Sequence, residues 1–168
     1  MTTVDPGEAR DRLPFGQHHA FLIGIDAYAK VSRLKTAVED ARQVAEVLRT
    51  QQHFLVHPLL LDATGGDIRT LLHTTLREQV REDDRVFFYF AGHGIAGADD
   101  GEAGYLVPAD ADPADISTLI PMADLQRALN ALPCRHLLLI LDCCFSGAFK
   151  WSSRYRDVGA LMPKKIYQ

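Results

Sequence analysis

The feature of this sequence that most constrains its fold is a regular alternation between short apolar runs and segments with helical periodicity. Each apolar run is long enough for one buried strand, and each helical segment repeats apolar residues at intervals of three and four. This alternation is typical of a mainly parallel α/β sheet with helices on both faces, in which functional groups gather in the loops after the strands. The predicted strands are 20–25, 54–61, 85–90 and 135–141.

Three segments between these runs are predicted to be helices. Thr36 and Glu39 have the spacing of a capping box before a helix that ends at residue 51. Asp67 can cap a second helix to about residue 80, and Pro121 suits the first turn of a third helix to residue 132. Pro58 lacks a backbone N–H, so its strand is predicted at a sheet edge.

Length and composition limit the class of protein. The 168 residues suffice for one domain, and 47% hydrophobic with 24% charged residues supports a buried core. A net charge of −4 argues against binding to nucleic acid or an anionic membrane. No apolar run approaches the ~20 residues of a membrane span. Three cysteines, two of them adjacent, form no disulfide framework, so we expect free thiols and a cytoplasmic location.

The chain divides into three parts. Residues 1–17 are polar and interrupted by proline and glycine, which predicts a flexible N-terminal arm. Residues 18–149 contain all the predicted strands and helices and form the folded domain. Residues 150–168 are basic and irregular and are predicted to be a tail.

Two side chains that can perform nucleophilic chemistry follow predicted strands. His93 lies between two glycines, which leave its ring unscreened. A histidine in a loop is more often incidental, and a cysteine at a strand end is more often a small buried hydrophobe. Strand alternation, however, places Asp142 and Cys144 on one side and directs Cys143 to the other, toward packing. A thiol beside an imidazole is activated because the base favours the thiolate.

Five segments of the chain carry a family pattern: FLIGIDAY, LKTAVEDA, FFYFAGHG, GYLVPADA and LLLILDCCFSG. They resemble the caspase-like cysteine peptidases, and specifically the metacaspase-type members of bacteria. His93 also lies about 50 residues before Cys144, which is the spacing of caspases. The resemblance covers about residues 19–149, which would be the large-subunit portion of the catalytic domain.

The resemblance implies the caspase-like (caspase-hemoglobinase) fold and a cysteine endopeptidase. Carried over to this chain, Cys144 is the nucleophile, His93 is the general acid/base, and the backbone N–H groups of Gly94 and Cys144 hold the oxyanion. Phe145 stands where many metacaspases carry His, and Ala91 where many carry Ser. Both differences leave the dyad intact but affect substrate contacts.

The resemblance also implies a substrate pocket that selects a basic residue. Metacaspases line this pocket, S1, with two acids, which here match Asp40 and Asp142. Two carboxylates favour a guanidinium or ammonium partner, so we expect cleavage of peptides or proteins after Arg or Lys. For Asp40 alone, a solvated helix face is the alternative. Leu34 lies roughly where classical caspases carry a pocket Arg for Asp substrates.

The sequence predicts no metal site and no other cofactor. Many metacaspases need calcium, and the acid-rich stretch 99–115 keeps calcium dependence open as an alternative. This stretch lacks a regular ligand spacing such as that of an EF-hand, so a solvated loop is the preferred interpretation.

Two further alternatives concern the role and extent of the chain. The chain could be a catalytically latent caspase-fold scaffold that a partner regulates; a nucleotide-binding domain is not supported because no glycine-rich phosphate loop follows the first strand. The caspase-like fold continues past the nucleophile with two more strands. We therefore expect the strand ending at Leu141 to lie at an open edge that a small-subunit portion, or self-association, completes.

Overall fold

The structure is a computed structural model that describes residues 14–96 and 104–143. The predicted nucleophile Cys144, the tail at 150–168 and residues 1–13 of the predicted arm lie outside the described residues.

The described strands and helices alternate along the chain as predicted. The first half contains β1 (His18–Gly24), α1 (Ala37–Thr50), β2 (Leu55–Val56), β3 (Leu60–Leu61), α2 (Gly65–Thr70), a π-helical turn (Leu71–Thr75), α3 (Leu76–Gln79) and β4 (Arg85–Ala91). The second half contains β5 (Gly94–Ala96), β6 (Gly104–Leu106), a 3₁₀ turn (Ile116–Thr118), β7 (Ile120–Pro121), α4 (Met122–Asn130) and β8 (His136–Asp142).

The main sheet is parallel and has the order β2-β1-β4-β8, with β3 also paired to β1. Its register aligns the carboxyl ends of the three long strands, because Ala91 pairs with Gly24 on one side and with Asp142 on the other. A separate antiparallel sheet, β5-β6-β7, continues from the end of β4. The predicted α/β fold class is confirmed.

The segment 54–61 differs from its prediction as a single strand. It forms two short strands, β2 and β3, separated by His57 and Pro58, and both pair with β1 at the edge of the described sheet. Pro58 cannot donate to a neighbouring strand, which explains why the pairing is interrupted there.

The helices are where the sequence predicts them, but two of their caps differ. Thr36 occupies the N-cap position of α1 without a side-chain hydrogen bond; the Ala37 N–H instead donates to Asp26 Oδ1 at 2.9 Å. The predicted capping box at Thr36 is therefore wrong. In α2 the cap is Thr64, and Asp67, predicted as the cap, forms the other half of a capping box with it.

Two apolar layers cover the two faces of the main sheet. One contains Phe21 and Phe88 with side chains from α2, α3 and α4, and the other contains Leu22 and Tyr89 with the inner face of α1. The carboxyl end of β1 lies close to α1, since a Cβ on Gly24 would come within 2.5 Å of a helix carbonyl.

Strand β8 is covered on one face only among the described residues. Leu137, Leu139 and Leu141 pack against the layer that contains Phe21 and Phe88. On the opposite face, Leu138 is 53% and Ile140 38% exposed. The described sheet ends at β8.

Residues 14–17, the last of the predicted arm, contact the amino ends of the strands. The Phe15 ring lies 4.0 Å from the Arg85 guanidinium and 3.9 Å from that of Arg135. The Gln17 N–H donates to Asp84 at 2.7 Å. The helices among the described residues are too short or too polar to cross a bilayer.

Candidate active site

His93 is held at the turn between β4 and β5 by Tyr28, from the loop after β1. The His93 backbone N–H donates to the Tyr28 hydroxyl at 2.8 Å, and the two rings lie 4.8 Å apart. Gly92 makes this approach possible, because a Cβ there would lie 2.7 Å from the Tyr28 oxygen. A contact between two segments far apart in sequence thereby fixes the backbone at His93.

The His93 ring is oriented by a backbone carbonyl. Its Nε2 lies 2.8 Å from the carbonyl oxygen of Ser32, in the loop between β1 and α1. A carbonyl only accepts hydrogen bonds, so Nε2 carries a proton in this arrangement. In the neutral ring the lone pair is then on Nδ1, which is the atom that can take a proton from a nucleophile.

Tyr28 serves as a neutral hydroxyl. Burial raises the pKa of Tyr28 to about 12, with smaller contributions from the charges of Asp26 and Asp62, while the hydrogen bond from His93 opposes the shift. The phenol therefore stays protonated at neutral pH and can accept from the His93 N–H without adding a charge beside the imidazole.

A cleft of about 380 Å³ opens beside His93. Its walls come from the loop and first turn of α1, the carboxyl end of β4 and the carboxyl end of β8. This volume lies within the ~300–1,000 Å³ of typical small-ligand sites. The side chains that carry charge or proton chemistry in its lining are Lys35, Asp40, His93 and Asp142.

The two predicted pocket acids line this same cleft. Asp40 is half-buried on α1, and Asp142 is the exposed last residue of β8. Neither carboxylate forms an ion pair with a cation among the described residues. The Tyr89 hydroxyl donates to Asp142 Oδ2 at 3.2 Å. The cleft therefore presents two carboxylates that are not ion-paired among the described residues.

Tyr89 reports the electrostatics beneath the cleft. Four effects together raise the pKa of Tyr89 to about 12. Burial is the largest, followed by the charge of Asp142, the hydrogen bond to Asp142 and the charge of Asp40. Both acids thus act on one phenol, which remains protonated and can only donate to a carboxylate.

Of the remaining residues singled out from the sequence, the structure describes Cys143 and Gly94 but not Cys144. Cys143 is partly buried and packs against the core together with Leu141, as the strand alternation predicts, but it also lines the cleft. Gly94 begins β5 opposite Leu106, and its role in holding an oxyanion stays a prediction. Since Cys144 lies outside the described part of the chain, its assignment as nucleophile also stays a prediction.

Three groups at the site are absent from the sequence prediction: the Tyr28 hydroxyl, the Ser32 carbonyl and Tyr89. Tyr28 lies in the segment FLIGIDAY, which resembles the family, but the resemblance assigns no role to the tyrosine. A backbone carbonyl has no residue-type signature, so no pattern in the sequence could have indicated Ser32. Tyr89 is one aromatic residue in the predicted strand 85–90, and the strand pattern assigns it no role at the site.

The acid-rich stretch is partly described and holds turns together. Asp110 accepts from the Gly65 N–H, Asp112 from Ala114 and Asp115 from Ser117. Over 14–96 and 104–143 no group of three or more His, Cys, Asp or Glu side chains is placed to hold a metal ion. The acids at 99, 100 and 102 lie outside these ranges.

The parallel sheet, its flanking helices and a histidine-lined cleft at the strand ends define a caspase-like α/β domain. A family model described as the caspase domain matches residues 17–163, and the chain belongs to this family of cysteine peptidases. The predicted family is thereby confirmed, and the family implies a protein substrate. A search of curated proteins finds no match to the chain.

Proposed function

We propose that this chain is a metacaspase-type endopeptidase that uses Cys144 and His93 to cleave peptide bonds after Arg or Lys. The observation that carries the proposal is the arrangement of His93: its Nε2 lies on the Ser32 carbonyl, and the ring borders a cleft lined by Asp40 and Asp142. The orientation leaves Nδ1 for proton transfer, and the acids complement a basic side chain.

In the proposed mechanism the Cys144 thiol gives its proton to His93 Nδ1. The thiolate attacks the scissile carbonyl carbon, and the backbone N–H groups of Gly94 and Cys144 hold the oxyanion. His93 then protonates the leaving amine, which departs as the acyl-enzyme forms. A water, deprotonated by His93, hydrolyses this thioester and releases the acid and the free thiol.

Specificity in this proposal comes from charge. A guanidinium or ammonium entering the cleft meets two carboxylates that are not ion-paired among the described residues, whereas an aspartate side chain would be repelled. Lys35 also lines the cleft and is exposed. Lys35 contributes one positive charge against two carboxylates, so the acids dominate the selection.

The exposed face of β8 supports a proposal for a partner. Its outer edge is unpaired within the described sheet, and Leu138 and Ile140 are exposed beside it. We propose that a further strand, from a small-subunit portion or a second copy of this chain, pairs with β8 and covers that face. Net charge and free cysteines further support a cytoplasmic peptidase that binds neither nucleic acid nor membranes.

Cleavage of an Arg-ending fluorogenic peptide tests the dyad. Cys144→Ala is expected to abolish turnover, and His93→Ala to reduce it by several orders of magnitude. Cys143→Ala is the matched control because it removes a neighbouring thiol that packs against the core, and it is expected to retain most activity. Full activity of Cys144→Ala would refute the mechanism and favour the latent scaffold.

An Asp-ending twin of the same peptide tests the specificity. We expect no cleavage after Asp, since two carboxylates would then face a third. An Asp-ending peptide cleaved faster than the Arg-ending one would overturn the assignment of the acids, while leaving the dyad standing.

A further inference from the structure

Tyr89 lies beneath the cleft and reaches the acid at its far wall. The residue is on β4, and its side chain packs in the layer covered by α1, with 5% of its surface exposed. The neighbouring strand β8 is in register, with Ile140 opposite Tyr89 and Asp142 opposite Ala91. The hydroxyl thus extends toward the strand ends and meets Asp142 Oδ2 at 3.2 Å.

We propose that Tyr89 is a positioning residue for substrate recognition: its hydroxyl holds the Asp142 carboxylate in the orientation that receives the basic side chain of the substrate. This inference rests on the proposed function, since it assigns a role within the same pocket. Oδ2 accepts from Tyr89, and Oδ1 together with the second lone pair of Oδ2 serves the guanidinium or ammonium group.

Asp142 needs such support because of its position. It is exposed at the last residue of β8, and Tyr89 is the side chain that donates to it among the described residues. A carboxylate free to rotate would have to be ordered when substrate binds, which costs affinity. Tyr89, by contrast, is fixed by the packing of its ring, so its hydroxyl is preorganised.

The second acid of the cleft, Asp40, explains why an uncharged hydroxyl is suited to hold Asp142. Both carboxylates act on the Tyr89 hydroxyl, so it lies in the field of two negative charges. Two acids that face one cleft repel each other when no cation is bound. A donor that is itself uncharged holds one of them without neutralising the charge that attracts the substrate.

The test compares Tyr89→Phe with Tyr105→Phe, which removes a phenol hydroxyl from β6, outside the cleft. The substrates are an Arg-ending peptide and its citrulline twin, which keeps the shape of arginine but lacks the charge. Tyr89→Phe is expected to lower kcat/KM about tenfold for the Arg peptide, mainly through KM, and to leave the citrulline peptide unchanged. Tyr105→Phe leaves both values unchanged.

An Asp142→Asn background separates positioning from a general loss of packing. There the effect of Tyr89→Phe on the Arg-to-citrulline ratio should disappear, because the charge that it positions is gone. An unchanged ratio in Tyr89→Phe itself, with the protein folded by circular dichroism, would overturn the inference.

A binding measurement keeps this inference distinct from the proposed function. Acetyl-arginine amide and acetyl-citrulline amide are titrated into the full chain by NMR. Tyr89→Phe is expected to weaken the arginine amide about tenfold and to leave the citrulline amide unaffected. If the chain cleaves neither peptide, the peptidase proposal fails while this result still decides the role of Tyr89. Equal binding of both amides to the unmodified chain, or no effect of Tyr89→Phe, overturns the inference.

Discussion

At the scale of single residues, the proton transfer that we propose for His93 depends on a contact between its ring and a main-chain oxygen. The Ser32 carbonyl sets which ring nitrogen carries the proton, and Tyr28 fixes the backbone of the same residue. Neither contact requires a charged partner. The imidazole is therefore oriented without a carboxylate, unlike the arrangement in a Ser-His-Asp triad.

Asp142→Asn tests the role of charge at this scale. The substitution keeps the size of the side chain and an oxygen that accepts from Tyr89, but removes one of the two negative charges in the cleft. We expect about a tenfold loss in kcat/KM for an Arg-ending peptide and little change for its citrulline twin. Steady-state kinetics measure both values. Equal losses for the two peptides would show that Asp142 acts through structure and not through charge.

At the residue scale, the sequence can place side chains near one another where their position coincides with a strand end, while their roles stay predictions. His93 and Asp142 could be brought together because both follow strands of one parallel sheet, and Asp40 could be added only through a family resemblance. The Ser32 carbonyl and the Tyr28 hydroxyl reach His93 across more than 60 residues of chain. Such contacts are products of the tertiary fold and leave no local pattern.

At the scale of elements, α1 packs closely against the carboxyl end of β1, and this helix forms one wall of the cleft. Helix α1 carries Asp40, and its first turns approach the end of β1 so closely that only Gly24 fits there. The sequence predicts both elements from periodicity. It does not predict the close approach, because a glycine at the end of an apolar run is equally compatible with an ordinary turn.

Gly24→Ala is expected to destabilise the fold by about 1–3 kcal/mol, since its Cβ would meet the Ala37 carbonyl and the Ala41 side chain. Gly66→Ala in α2 is the matched control. Its Cβ would have only an ordinary 3.6 Å contact, and alanine is favoured in a helix by up to about 1 kcal/mol. Urea denaturation measures both. A Gly24→Ala variant as stable as Gly66→Ala would contradict the close packing of α1 on β1.

The caps of two helices also differ from those predicted from the sequence. The N-cap of α2 is Thr64 and not the predicted Asp67, because the two side chains accept from each other's backbone N–H groups at the spacing of a capping box. The α1 N-terminus is capped from the preceding loop by Asp26. Sequence patterns identify residues able to cap a helix; a contact from the preceding loop decides the cap of α1, and the local pair Thr64 and Asp67 decides that of α2.

At the scale of the whole molecule, the two faces of the sheet are unequally covered near β8. The apolar layer with Phe21 and Phe88 extends over this strand, whereas the layer beneath α1 leaves Leu138 and Ile140 exposed. Exposed apolar side chains at a free strand edge favour pairing with another strand. Strand β8 is the last strand of the described sheet, and the open edge there stays a prediction.

Leu138→Lys tests whether this face associates. The substitution places a charge on the exposed face of β8, and we expect it to reduce self-association of the isolated chain in light scattering. Ile116→Lys is the control, because Ile116 is 61% exposed but lies in the 3₁₀ turn away from β8. If both variants associate as the unchanged chain does, β8 is not the surface involved.

The most direct test of the account is labelling with an acyloxymethyl ketone that ends in arginine, followed by peptide mass spectrometry. The account predicts one adduct, on Cys144, whose formation depends on His93 and is much slower for the Asp-ending reagent. Cys134 and Cys143 serve as internal controls in the same molecule. Equal labelling of all three cysteines, unaffected by His93→Ala, would contradict a Cys-His peptidase and identify the chain as a latent caspase-fold scaffold.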